Sequence, residues 1–161
     1  MAKVIIFGLQ DFAQLANFYL TNDSEHEVVA FCVNREYIKD VKMFEGKPVI
    51  AFEDVALAYP PETHKFFAPM SHKGMNKLRE TVYNAIKDKG YEMISYVSSR
   101  AYVANNKIGD NCFILEDNTL QPFTDIGNNV VLWSGNHIGH HGKIDLSLIH
   151  ISEPTRQKPL S

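Results

Sequence analysis

Aliphatic residues recur at every sixth position from Ile108 to Ile144, at Ile108, Ile114, Leu120, Ile126, Leu132, Ile138 and Ile144. A period of six belongs neither to an amphipathic helix nor to a simple alternating strand. It is the period of a parallel β-helix, in which each short strand points one aliphatic side chain inward and then turns a corner. Three strands close one triangular coil, so Ile108, Ile126 and Ile144 are predicted to stack. The residues that follow the first two agree, Gly109-Asp110-Asn111 against Gly127-Asn128-Asn129. Glycine and asparagine enter left-handed corner conformations at least cost. The fourth position after each aliphatic residue is mostly small (Cys112, Thr124, Val130, Gly142), as a narrow interior requires.

Ahead of this stretch the pattern alternates strand and helix. Val4 to Phe7 is a continuous apolar run, and Phe12, Leu15, Ala16, Tyr19 and Leu20 recur at helical spacing. This predicts a helix from Asp11 to Thr21 with Asp11 as its cap. Glu27 to Val33 reads as a second strand, Pro48 to Phe52 as a short extended piece after a loop, and Glu53 to about Tyr59 as a helix stopped by Pro60-Pro61. Lys65 to Met70 reads as a further strand, and Gly74 to Lys89 as a long helix with Leu78, Val82, Ala85 and Ile86 on one face. Near-continuous apolar strands between helices predict a parallel sheet covered on both faces. The expected organisation is therefore an α/β, Rossmann-like domain over residues 1–95, then a β-helix of hexapeptide repeats over residues 96–145.

A parallel sheet binds its ligand outside the carboxyl ends of the strands, where amides at a helix start meet an anion. Gly8, Gln10, Asp11 and Phe12 after the first strand, Asn34 and Arg35 after the second, and Ser71 after the fourth are the candidate ligand-binding residues. Gly8 stands alone, without the three-glycine dinucleotide fingerprint, and Asn34 occupies the place of an acidic ribose partner. An NAD-dependent dehydrogenase is thereby disfavoured, and Gly8 reads equally well as a plain strand-to-helix turn.

The composition changes this picture little. The chain has 161 residues, 45% hydrophobic and 22% charged, with a formal net charge of -3. It is long enough to bury a core, and its charge makes no case for nucleic acid or an anionic membrane. No apolar run approaches the length of a membrane span, and the apolar part of the N-terminus is too short for a signal peptide. Cys32 and Cys112 lie in apolar strand contexts without metal-like spacing, which predicts buried, reduced thiols in a cytoplasmic protein.

Three of the seven histidines crowd into Ser134-Gly135-Asn136-His137-Ile138-Gly139-His140-His141. Ile138 is the inward residue there, so His140 and His141 are expected on the turn. A histidine in that place suits proton removal near neutral pH, or else is a solvated polar corner.

An α/β domain joined to hexapeptide repeats, with Ile108-Gly109-Asp110-Asn111-Cys112-Phe113-Ile114-Leu115-Glu116-Asp117-Asn118 and Trp133-Ser134-Gly135-Asn136-His137-Ile138-Gly139-His140-His141, resembles the sialic acid O-acetyltransferase family. That family also contains the UDP-4-amino-sugar N-acetyltransferases of bacterial glycan synthesis. The resemblance covers Ala2 to Ile144. It implies a left-handed β-helix, a homotrimer, acetyl-CoA as acetyl donor in a cleft between neighbouring β-helices, and a sugar or sugar-nucleotide acceptor held partly by the N-terminal domain. His140 matches the family's catalytic base. The next position, often acidic in the family and orienting the base, is His141 here. Asn136 and His137 are the expected acceptor contacts beside it. Two other readings are a non-catalytic sugar-nucleotide-binding or scaffold protein, and a zinc-dependent hydratase of the left-handed β-helix type using His137, His140 and His141. Such hydratases take histidines from adjacent coils, which disfavours three in one corner.

After Ile144 the period stops, with His150 at the next inward position. Leu146 to Arg156 reads as the translation of a transposase sequencing adapter, so residues 146–161 are expected to be foreign to the fold. On this reading the chain is C-terminally truncated after about two coils and inactive as it stands.

Overall fold

In the computed structural model, which describes residues 1–70, 75–144 and 149–150, the N-terminal half is built on one sheet. Its elements are β1 (Lys3–Phe7), α1 (Asp11–Asn22), β2 (Glu27–Val33), β3 (Met43–Phe44), β4 (Lys47–Ala51), α2 (Val55–Ala58), β5 (Lys65–Phe67) and α3 (Met75–Asp88). The sheet order is β3-β4-β2-β1-β5, parallel throughout except for the edge pair β3 and β4. β1 explains the arrangement. Val4 and Ile6 point into a cluster with Ala13, Ala16 and Leu20 of α1, whereas Ile5 and Phe7 point into a second cluster with Val55 of α2 and Val82 and Ile86 of α3. A strand buried on both faces must be apolar at consecutive positions, which is why the run is continuous.

Several local expectations change. Gln10, not Asp11, is the residue before α1, and Asp11 sits in the first turn, where its charge complements the helix dipole. The expected helix at Glu53 is a 3-10 turn over Phe52–Asp54 followed by the four residues of α2. Leu78 is 47% exposed instead of buried, and its neighbour Arg79 is buried. The loop before β4 contains a hairpin, in which Glu45 and Gly46 both take positive φ (50° and 77°) between the paired Phe44 and Lys47. That is the twist a two-residue hairpin turn requires.

The second half is a triangular coil. β6 (Tyr96–Val97), β7 (Tyr102–Val103) and β8 (Lys107–Ile108) form the first coil. β9 (Phe113–Ile114), β10 (Thr119–Leu120) and β11 (Asp125–Ile126) form the second, and β12 (Val131–Leu132), β13 (His137–Ile138) and β14 (Lys143–Ile144) the third. Each face is a parallel ladder: β6-β9-β12, β7-β10-β13 and β8-β11-β14. There are thus three coils and not two. The six-residue count misses the first because Val103 and Ile108 are five apart, a one-residue deletion that leaves both still packed on the interior. Ile114, Leu120, Ile126, Leu132, Ile138 and Ile144 fill that interior with Cys112 and Val130. The backbone of β15 (Ile149–His150) continues one ladder, pairing with Val131–Leu132, although both residues belong to the segment expected to stand outside the fold. The rest of residues 146–161 lies outside the described residues.

Positive φ marks the corners at Asn105, Asn111, Asp117, Phe123, Asn129, Gly135 and His141, again at intervals of six. Gly109 serves differently: a Cβ there would stand 2.1 Å from the Asn128 side-chain oxygen, so close coil stacking excludes any other residue.

The two halves share one core. Phe113 on β9 is 1% exposed and meets the rings of Phe12, Tyr19, Phe67 and Tyr96 at centroid distances of 5.9, 6.2, 5.3 and 5.8 Å. Polar bonds frame this contact. The Tyr96 hydroxyl and the Ser99 amide donate to Asp23 (2.6 and 2.9 Å), and the Tyr19 hydroxyl donates to Glu116 (2.9 Å). The Ser99 amide and Tyr96 hydroxyl together hold the Asp23 carboxyl below its ordinary range. Among the described residues no helix is long and apolar enough to cross a membrane.

Candidate functional site

The order in which the chain lays down its strands reverses between β1 and β5, outward through β2 to β4 on one side and back to β5 on the other, so the carboxyl edge there is the natural ligand crevice. The structure fills much of it with protein. The Asn111 side chain, at a coil corner, accepts from the Ala68 amide (2.8 Å) and donates to the Ala68 carbonyl (3.2 Å), closing the end of β5. Phe12 lies against Trp133 (5.0 Å) as well as Phe113, and so joins the interdomain core. Gly8 takes φ +131° and donates its amide to the Cys32 carbonyl (2.8 Å), a turn only glycine makes without strain. Asn34 and Arg35 lie at the same edge but are engaged with the 3-10 turn. The Arg35 amide donates to Glu53 (2.9 Å), its guanidinium grips Asp54 through two 3.0 Å bonds, and Asn34 reaches Glu53 at 3.4 Å. Gln10 and Asp11 remain exposed at the uncapped start of α1. Ser71 lies outside the described residues.

The histidines stand at another corner. Asn136 belongs to the coil itself: its amide donates to the Asn118 side chain (2.9 Å), and its own side chain donates to the Trp133 carbonyl (2.7 Å). His137 is exposed on β13. One turn later Gly139 to Gly142 forms the next corner, fixed by the Gly142 amide on the Gly139 carbonyl (3.1 Å) and by the Thr124 hydroxyl on that same oxygen (2.9 Å). His140 and His141 project from it, both exposed. The His140 amide donates to the Gln121 side chain (3.0 Å), and the Nδ1 atoms of His140 and His141 are 3.1 Å apart, a hydrogen bond whose donor depends on the tautomers. Beneath His141, one coil back, the ring of Phe123 stacks at 4.8 Å and 20°. Phe123 is 72% exposed.

The structure therefore brings His140 and His141 together at one coil corner, whereas Gly8, Gln10, Asp11, Asn34 and Arg35 lie at the carboxyl edge of the sheet. The link between the two groups is the run Phe12 to Trp133, which enters the segment carrying Asn136 and His137. Phe123 and Gln121 were missed from the sequence. A signal was present, since Phe123 occupies a left-handed corner position that elsewhere, His141 apart, carries Asn, Asp or Gly. Among the described residues no group of three or more His, Cys, Asp and Glu is arranged to hold a metal ion. Cys32 and Cys112 are free and fully buried, and burial raises the Cys112 thiol to about 11.

No protein-family model matches the sequence, and no curated protein matches it. Solved structures do. The acetyltransferase domain of PglB from Neisseria gonorrhoeae FA1090, also solved in complex with acetyl coenzyme A, aligns with 14% identity and a TM-score of 0.74 over 92% of this chain and 70% of its own. WeeI from Acinetobacter baumannii AYE aligns with 13% identity and a TM-score of 0.71 over 92% and 69%. PerB from Caulobacter crescentus, in complex with CoA and GDP-perosamine, aligns with 15% identity and a TM-score of 0.61 over 90% and 72%. At these identities the likeness is one of fold alone: a sheet domain followed by stacked short parallel sheets.

Proposed function

We propose that the protein transfers an acetyl group from acetyl-CoA to the amine or hydroxyl of a sugar or sugar nucleotide in bacterial surface glycan synthesis. The observation that carries this reading is the exposed His140–His141 pair, set at a coil corner in a fold shared over nine-tenths of the chain with acetyltransferases. Two of those structures hold acetyl-CoA, or CoA with a nucleotide-linked amino sugar. On this reading the coil is left-handed, the sheet domain is Rossmann-like and offers Gln10 and Asp11 to the nucleotide, and three copies assemble with the donor between neighbouring coils in the cytoplasm. The relatives meant are the sialic acid O-acetyltransferases and UDP-4-amino-sugar N-acetyltransferases.

The chemistry needs one base. His140 Nε2 accepts the proton of the acceptor as the latter attacks the thioester carbon. The tetrahedral intermediate then expels coenzyme A, whose sulfur takes the proton from His140. Cys32 and Cys112 are buried, and burial holds the Cys112 thiol protonated, so direct transfer is favoured over an acyl-enzyme.

The test is thiol release from acetyl-CoA with a panel of UDP- and GDP-linked amino and hydroxy sugars. It is run on the 161-residue chain and on a version in which residues 146–161 are replaced by regular hexapeptide coils. Acceptor-dependent release in the extended version is the expected result. No release in either version overturns the proposal.

A further inference from the structure

Seven corners of the coil take the left-handed backbone conformation, and of these seven only Phe123 and His141 are not Asn, Asp or Gly. A bulky aromatic residue at φ +66° is strained, and strain that persists at an exposed position marks a function elsewhere. Packing does not explain Phe123, which leaves most of its surface in water. What it does touch is informative. Its ring lies nearly parallel to that of His141, itself at φ +61°, and His141 in turn meets His140 through the two Nδ1 atoms. The corner thus holds a chain of three rings ending at the residue read as the base.

A contact between two Nδ1 atoms holds a single proton. One ring must donate and the other accept, so the tautomers of the two histidines are tied together. Neutral imidazole favours the Nε2–H form, and this contact forces one member of the pair into the Nδ1–H form. If His140 is that member, its Nε2 is bare and ready to accept a proton. When it has accepted one, its Nδ1–H still points at a neutral acceptor. A hydrogen bond between exposed rings competes with water, and only an acceptor held still can enforce the choice. The stack on Phe123 holds it.

We propose that Phe123 is a positioning residue for His140: it clamps the His141 ring, whose Nδ1 then keeps His140 in the Nδ1–H tautomer. This rests on the reading of His140 as the base, and it assigns to an aromatic side chain one coil away the work of orienting that base. His141 supplies the acceptor, and Gln121, by binding the His140 amide, fixes the backbone from which both rings project.

Long-range proton–nitrogen NMR of the imidazoles tests it without any need for turnover. His140 is expected to be mainly Nδ1–H, and His141 mainly Nε2–H. Phe123→Gly relieves the backbone strain, so this variant is expected to fold at least as well, yet His140 should shift towards Nε2–H. His141→Phe keeps a ring for the stack but removes the acceptor, and should shift it further. Phe123→Tyr, which preserves the stack, should restore the wild-type pattern. Wild-type His140 found as Nε2–H, or unchanged in Phe123→Gly, overturns the proposal. In a version that turns over, Phe123→Gly should lower kcat with little change in KM for acetyl-CoA. The expected tautomer pattern in a wild-type protein that transfers acetyl to no acceptor would instead count against the acetyltransferase reading alone.

Discussion

In the version extended by further coils, His140→Ala is expected to lower acetyl transfer by about 10²- to 10⁴-fold, the span over which a positioned general base acts. The loss should fall on kcat, because the imidazole acts as the acceptor's proton leaves and not when acetyl-CoA binds. Folding should be nearly untouched. The side chain is exposed, and the backbone amide that binds Gln121 survives the substitution. Surface changes of this kind usually stay within about 0.5 kcal/mol. His137→Ala is the useful comparison, since His137 is exposed on β13 before the corner and should alter acceptor binding more than turnover. Steady-state kinetics with both substrates varied separates the two, and unchanged kcat in His140→Ala would remove the base from the mechanism.

Phe113→Ala is expected to destabilise the protein by about 3–5 kcal/mol, the usual cost of emptying a buried aromatic site. The side chain sits where four rings from both halves converge, so the cavity cannot close by movement of one neighbour. Against a total stability of about 5–15 kcal/mol this is a large fraction. It should also part the two halves, because Phe67 and Phe12 on the sheet side and Tyr96 on the coil side would lose their common contact. Urea unfolding followed at Trp133 and by far-ultraviolet circular dichroism should show one transition in the wild type and two in the variant. A single transition displaced by less than about 1 kcal/mol would mean that the halves are held mainly by the bonds of Asp23, Glu116 and Asn111.

The coil was legible because its order is local: each six-residue unit states its own inward residue and corner. The same locality hid the first coil. Val97 and Val103 are inward residues too, but the missing residue before Ile108 breaks the count, and only ladder pairing across seventeen residues restores it. The continuous strands were legible for the reason given by Val4 to Phe7, burial on both faces. Arg79 was not. A charged residue on a helix reads as solvated, and nothing near it in sequence announces that the Asn129 carbonyl waits at 2.5 Å to receive its guanidinium. The site divides in the same way. His140 and His141 are neighbours in sequence and were found, whereas Phe123 reaches His141 only through the stacking of coils. Phe12 and Arg35 sat at the right edge of the sheet, but their partners, Trp133 and Asp54, come from distant segments.

The two cysteines give this molecule a pair of built-in clocks. Cys32 lies within the sheet and Cys112 within the coil, both at 0% exposure, so neither reacts with a thiol reagent until its own half opens. Labelling resolved by peptide mass then times the two openings independently in a single sample, with no residue introduced for the purpose. Equal rates would describe a protein that breathes as one body through Phe113. A faster Cys112 would describe a coil that unzips from its last rung while the sheet stays closed.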